Sequence, residues 1–312
     1  MKKIEPLTNV PGGHELPPLF ELEESDLKEL LSPRSSDSHK GTYGYIGLVG
    51  GSLNYSGAIR LASMANCAMR SGAGVVKVAL PKSLAYLILP DVLDATVFPL
   101  SDMDGMIEFD EAEFDVLIKG LSVIAFGMGI GQSKEVAKAL VYLLTHYTGT
   151  LIIDADGLNE LAHIEKRILT NATCNIILTP HPKEFSRISG YELSDIRLSP
   201  IYTSSTFAKK YNCTVLLKGS ESVITNGEKA IINKKGCAGM ATAGSGDVLS
   251  GVMAAMFGWG VKNYDNLTLA AASAYIAGLA GEKAQAESCD ISMTASDTAR
   301  CIASVIKDIQ NN

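Results

Sequence analysis

Gly236-Cys-Ala-Gly-Met-Ala-Thr-Ala-Gly-Ser-Gly-Asp-Val-Leu-Ser-Gly251 is the stretch on which the reading of this chain turns. Between Gly236 and Gly260 the one charged side chain is Asp247. It follows Gly244, Ser245 and Gly246 and opens an apolar segment, Val248 to Phe257, expected to be a buried helix. The first turn of a helix leaves backbone N–H groups without partners and carries partial positive charge, which suits a phosphate or a developing oxyanion. Glycines let the backbone approach such an anion closely. Taken alone, the motif reads first as an N-cap aspartate behind turn glycines. The rest of the chain decides between the two.

Upstream, the pattern is strand, turn, helix, repeated. Tyr45 to Val49 is a short apolar strand followed by Gly50-Gly51-Ser52, and then a helix from Ser56-Gly57-Ala58 to about Ser71 that includes Ala65. Val75 to Ala79 is the next strand. Val123 to Phe126 leads into Gly127-Met-Gly-Ile-Gly131 and a helix from Ser133 to His146. Leu151 to Ile153 leads into Asp154-Ala-Asp156, Ile176 to Leu178 into Thr179-Pro-His-Pro-Lys-Glu184, and Thr214 to Leu217 into Lys218-Gly219-Ser220. Uniformly apolar strands alternating with helices predict an α/β fold with a mostly parallel sheet and helices on both faces. Ser222 to Asn233 reads as a hairpin around Asn226-Gly227. Leu267 to Gly281 reads as a core helix, too short and too polar to span a bilayer. Residues 1 to about 40, rich in Pro, Ser and charge, read as an extension that lies on the body or is partly mobile, with a short helix over Glu23 to Leu31 and solvated histidines at His14 and His39.

The polar and glycine-rich tips fall just after strands. In open parallel sheets, ligands bind beyond the carboxyl ends of strands, so these loops are expected to converge on one crevice. A net charge of −7, from 27 basic and 34 acidic residues in 312, argues against nonspecific nucleic-acid or membrane binding. Any phosphate must be held locally. Cys67, Cys174, Cys213, Cys237, Cys289 and Cys301 are scattered without a C-x-x-C pair, which reads as reduced thiols in a cytoplasmic protein. The N-terminus lacks the apolar run of a signal peptide.

Several residues carry candidate chemistry. Asp154 and Asp156 could position magnesium or a hydroxylated ligand, or cap the helix that follows. Two prolines fix the turn holding His181 and Glu184. His181 could hydrogen-bond a substrate, or be an ordinary loop histidine. Glu184 could organise magnesium through water, or be a first-turn helix carboxylate. Lys218 could neutralise a phosphate as a point charge, or be solvated. His146 and His163 sit at expected helix ends and read as structural. The glycines of Gly127 to Gly131 match neither G-x-G-x-x-G nor a Walker pattern, which disfavours a dehydrogenase and a P-loop enzyme.

Taken in order, Lys40-Gly-Thr-Tyr-Gly44, Gly50-Gly-Ser52, Tyr55-Ser-Gly-Ala58, Arg70-Ser-Gly-Ala-Gly-Val75, Asp154-Ala-Asp-Gly-Leu-Asn159, Leu178-Thr-Pro-His-Pro-Lys-Glu184, Leu217-Lys-Gly-Ser220 and Met240-Ala-Thr-Ala-Gly-Ser-Gly-Asp247 resemble the ADP/ATP-dependent NAD(P)H-hydrate dehydratases. The resemblance runs from about residue 36 to 310. It implies a ribokinase-like fold over residues 36–312, with residues 1–35 as an N-terminal extension of unassigned role and no room for the epimerase domain that accompanies some members. The implied reaction dehydrates the S epimer of hydrated NADH or NADPH at the expense of ATP or ADP. Asp247 would be the base, and the amides of Ala243, Gly244, Ser245 and Gly246 would hold the transferring phosphoryl group. Ala58, Gly129, His181 and Asp247 would meet the hydrated dinucleotide. Lys218, Gly219, Ser220, Glu221, Ser222 and Gly246 would meet the adenine nucleotide, with Glu184 placing Mg2+ through water. The resemblance further implies a homo-oligomer, tetrameric in the family's usual form. The motif carries Met128 and Ile130 where the family pattern has Pro and Leu. A ribokinase-like kinase of a vitamin precursor or sugar is the alternative, and a nucleotide-binding sensor without turnover a more distant one. The choice of donor nucleotide and of NADH against NADPH hydrate stays open in the sequence.

Overall fold

The structure is a computed structural model describing residues 1–5, 15–63, 68–260 and 263–311. Its centre is a sheet of eleven strands among the described residues. In chain order the strands of the molecule are β1 (Lys2–Ile4), β2 (Leu19–Glu21), β3 (Tyr45–Val49), β4 (Val75–Pro81), β5 (Thr96–Leu100), β6 (Asp102–Met103), β7 (Met106–Ile107), β8 (Val123–Phe126), β9 (Thr150–Ile153), β10 (Asn175–Leu178), β11 (Thr214–Leu217), β12 (Ser222–Thr225) and β13 (Ala230–Asn233). The main sheet runs β1-β2-β13-β12-β11-β10-β9-β8-β3-β4-β5, and β6 and β7 form a separate hairpin. From β11 to β5 every neighbouring pair is parallel. The expected β12–β13 hairpin is antiparallel, and Asn226 Oδ1 closes its turn by accepting from the amides of Glu228 and Lys229.

Alternation along the strands sends side chains to two cores. On β8, Val123 and Ala125 face one cluster while Ile124 and Phe126 face the other. The first core is closed by the helices Ser245–Gly260, Asn266–Glu287 and Ala295–Asn311, the second by Lys134–His146, Asp156–His163 and Pro182–Ser189 among others. Ser245–Gly260 is buried on all sides, as its uncharged run requires. The expected helix over Leu267 to Gly281 lies within Asn266–Glu287, and no described helix is long and apolar enough to cross a membrane. Ser133 caps Lys134–His146 through its hydroxyl, which accepts from the Val136 amide. The helix after β3 is Ser56–Ser63. Its expected continuation through Ala65, together with Cys67 and His14, lies outside the described residues.

The N-terminal segment is built into the body. β2 pairs in parallel with β13, and β1 pairs antiparallel with β2. The helix Glu24–Leu30 follows, and its Leu27 is fully buried in the first core.

Candidate active site

Parallel topology carries the ends of β3, β8, β9, β10 and β11 to one edge of the sheet, where the loops are tied to one another by backbone. Gly127 N donates to Val49 O, Gly51 N to Met128 O, Asp154 N to Phe126 O, and Lys218 N to Pro180 O, at 2.8–3.0 Å. The crevice expected from the strand-end loops is thus one bonded platform. Met128 and Ile130, the departures from the family pattern, are fully buried plugs beneath it.

Asp154, at the end of β9, is 1% exposed. Its carboxylate accepts from Thr179 Oγ1 at 2.8 Å, Lys218 Nζ at 2.9 Å and Ser250 Oγ at 2.9 Å. Burial raises its pKa, but the Lys218 ammonium and these hydrogen bonds outweigh burial and hold it below the usual carboxylate value. Burial likewise lowers that of Lys218, but Asp154 and Glu184 outweigh it, so the lysine stays charged. Asp156 points the other way and organises the glycine loop: it accepts from Gly131 N at 3.0 Å, Gln132 Nε2 at 3.3 Å and Asn159 Nδ2 at 3.2 Å. Between them Ala155 has φ 48° and ψ −118°, a conformation glycine tolerates and alanine adopts at a cost of about 1–3 kcal/mol. That turn lets successive carboxylates serve two different loops.

Asp247 stands in the first turn of Ser245–Gly260. Gly244 before it has φ +97°, and an added Cβ would stand 2.5 Å from Leu61 Cδ1, so the bend requires glycine. Ser245 Oγ donates to Met240 O at 2.8 Å, pinning the loop. A Cβ built on Gly246 would lie 3.4 Å from Asp154 Oδ2 and 3.5 Å from Lys218 Nζ, which seats this glycine directly over the buried pair. Asp247 takes part in no hydrogen bond or ion pair among the described residues. Burial, then the charge of Asp154, push its carboxyl up to about 7, against the opposing pull of Lys218, with Asp156 adding to the rise. It is therefore poised to take or give a proton near neutrality.

His181 caps Pro182–Ser189: its Nδ1 accepts from the amides of Lys183 and Glu184, both at 3.1 Å. Glu184 closes the capping box by accepting from His181 N at 2.8 Å. His181 keeps 46% of its side chain exposed, and burial followed by the Lys218 charge hold its pKa below the ordinary value, so it is neutral at pH 7. Glu184 is 7% exposed, and burial raises its pKa. Each of these two thus does structural work and still faces the site. Ala58 and Gly129 meet on the other side: a Cβ on Gly129, at φ +60°, would stand 2.7 Å from that of Ala58. Ser52 Oγ fixes this contact by donating to Gly129 O at 2.9 Å.

A cavity of about 660 Å³ opens beside Gly246, and Lys218, Gly219, Ser220 and Ser222 line it. Glu221 does not; strand alternation turns it to the opposite face, into a separate cavity with Val223 and Lys234. Asn233, Lys235 and Cys237 line the first cavity and escaped the sequence reading. Their signal was the two-residue period of β13, which puts Asn233 on the same face as Ser222. Ser250 was also missed. It is the one hydroxyl in the apolar run of residues 248–260, one turn from Asp247. No three His, Cys, Asp or Glu side chains among the described residues cluster as metal ligands. Glu184 Oε2 accepts from His181 N and Oε1 lies 3.3 Å from His181 Nε2, which leaves lone pairs that fit a water-mediated contact to a cation rather than direct ligation.

A largely parallel sheet covered by helices, with a glycine-headed helix beside a cavity at its strand ends, is the architecture of the ribokinase-like fold. Consistent with this, the structure superposes on a ribokinase-like superfamily protein from Enterococcus faecalis V583 with a TM-score of 0.79, at 22% identity over 94% of this chain and 97% of that one. Residues 46–304 match the family model described as NAD(P)H-hydrate dehydratase, and the chain belongs to that family. It is 34% identical to the ADP-dependent (S)-NAD(P)H-hydrate dehydratase of Cenarchaeum symbiosum over 91% of this chain and 96% of the relative. The crystal structure of an ADP/ATP-dependent NAD(P)H-hydrate dehydratase from Bacillus subtilis, co-crystallised with ATP and Mg2+, is 26% identical, covers 93% of this chain and 98% of that one, and gives a TM-score of 0.78. The chain spans about half the length of the bifunctional repair enzymes among the curated relatives it matches.

Proposed function

We propose that this protein dehydrates the S epimer of hydrated NADH or NADPH, consuming ATP or ADP and releasing NAD(P)H, phosphate and the shortened nucleotide. The observation that carries the reading is Asp247: a partly buried carboxyl with no hydrogen-bonding partner among the described residues, pushed up to about 7 by burial at a helix head beside the large cavity. Hydroxide leaves poorly. In the proposed sequence Asp247 takes the proton of the ring hydroxyl as its oxygen attacks the terminal phosphoryl group; the ester's C–O bond then breaks to release inorganic phosphate, the neighbouring ring carbon gives up a proton to water, and the C=C bond so formed restores the dihydronicotinamide ring.

The amides of Gly244 and Gly246, together with that of Ser245, which leans only weakly on Thr242 O at 3.5 Å, hold the negative charge of that transfer. Lys218, kept charged by Asp154, neutralises the nucleotide phosphates. Gly219, Ser220, Ser222 and Gly246 wall the nucleotide, while Ala58, Gly129 and neutral His181 meet the hydrated ring and its ribose. Mg2+ entering with the nucleotide supplies further positive charge to the phosphates, and Glu184 holds it through water. The reading also carries a cytoplasmic, homo-oligomeric protein, tetrameric in solution, which sedimentation measures; the free, buried thiol of Cys213, pushed up to about 12 by burial, is in keeping with a reducing compartment.

The test is purified protein with Mg2+ and hydrated NADPH, and ATP or ADP in parallel, following dihydronicotinamide absorbance and phosphate release. Recovery of absorbance with stoichiometric phosphate is expected, and the active nucleotide identifies the donor. Nucleotide consumption without recovery of absorbance overturns the proposal in favour of a small-molecule kinase.

A further inference from the structure

The opposite end of the Asp247 helix borders a third cavity, of about 510 Å³. Its marker is Trp259, about 18 Å from Asp247 along the helix axis at 1.5 Å per residue. The walls come from parts of the chain that the catalytic reading leaves idle: the segment around Arg34, the turn Arg70-Ser71-Gly72, and the helix Ala295–Asn311. In a chain of net charge −7, two arginines and no carboxylate line this space among the described residues.

Arg34 is fixed in advance. Its guanidinium carbon lies 3.8 Å from the centroid of the Tyr43 ring, and Nη2 donates to Gly72 O at 2.7 Å. Arg70 is exposed and pairs with no carboxylate among the described residues. Next to Arg70 in the chain, Ser71 is 2% exposed and its Oγ has no hydrogen-bond partner among the described residues. A buried hydroxyl left unpaired costs about 1–3 kcal/mol, so such atoms call for an explanation. Met69, Trp259 and Ile306 supply apolar surface beside these donors.

We propose that this cavity is a binding site for a small organic anion, a phosphomonoester or carboxylate on an apolar ring. Arg34 and Arg70 grip the anion, Ser71 donates to it, and the ring lies against Trp259. Forked guanidinium pairs recognise both oxyanions in the same way.

Trp259 is the chain's one tryptophan, so its fluorescence reports this cavity and no other. Phenyl phosphate and benzoate are titrated into the full chain at low salt, with the nucleotide site filled by ADP and Mg2+. Saturable change in Trp259 emission with at least one probe is expected, and the two arms separate a phosphate from a carboxylate preference. Arg70→Ala weakens binding at least tenfold, Arg70→Lys less, and Ser71→Ala about threefold, consistent with charge-assisted hydrogen bonds. Turnover without probe and the melting temperature stay at wild-type values in Arg70→Lys. No saturable emission change with either probe overturns the site, as does equal binding by wild type and folded Arg70→Ala.

Discussion

Asp154 and Asp247 are the same residue type at the same end of one sheet, yet they behave as opposites. Asp154 is wholly buried and receives hydrogen bonds from Thr179, Lys218 and Ser250, so its charge is held. Asp247 is less buried and has none of these donors, so its proton is held near neutrality instead. Partners, not burial alone, decide which carboxylate anchors and which reacts. The floor of the site has spent its hydrogen-bonding capacity within the protein; the helix head keeps its own for a ligand.

The sharpest way to break this contrast is Asp247→Asn. The fold and nucleotide binding should persist while kcat falls about 10²–10⁴-fold, the usual range for losing a general base; turnover near wild type would remove the assignment. Lys218→Met attacks the other half. It strands the Asp154 charge, and urea titration should show a loss of about 3–5 kcal/mol, as for broken buried pairs. Ser250→Ala removes one donor from Asp154 and should cost about 1–3 kcal/mol by the same measurement.

The pH dependence separates the two carboxylates by sign. Asp154 has a lowered pKa, so its contribution to stability is present above its unfolded value of 3.8 and is lost as pH falls through the folded one. Asp247 is raised to about 7, so its contribution is full below 3.8 and is lost as pH rises through 7. Asp247→Asn should therefore raise the melting temperature of the nucleotide-free protein by a few degrees at pH 8 and by less at pH 6. The same ionisation should give kcat/KM an acid limb near pH 7. Asp156→Asn removes a charge that raises the Asp247 pKa and should move that limb to lower pH; an unmoved limb would detach Asp156 from the base.

Much of this arrangement was legible in the chain. Strands β3, β8 and β11 fall where the apolar runs put them, because strands buried on both faces need uninterrupted apolar sequence. β5 was not legible: Thr-Val-Phe-Pro-Leu contains Pro99, tolerated because the strand lies at the sheet edge. Nor was β2, a strand of three residues directly after two prolines, which is held as a strand by its pairing with β13 on one side and β1 on the other. At the site, Asp154 and Asp156 read as one pair. Their division between two loops depends on the positive φ of Ala155, and no residue type announces that in a non-glycine position. Lys218 was singled out for its neighbours Gly219 and Ser220, but it is Asp154, sixty-four residues away, that fixes it.

The strand pairing of Leu19–Glu21 with β13 has a consequence for how the protein behaves in a crowd. Shorn of its first 35 residues, the chain would present Ala230–Asn233 as a bare, apolar ribbon whose amides and carbonyls can recruit another molecule. What looks in sequence like an appendage thus shields the molecule from its own copies, and shortened versions should cloud on concentration before they lose their fold.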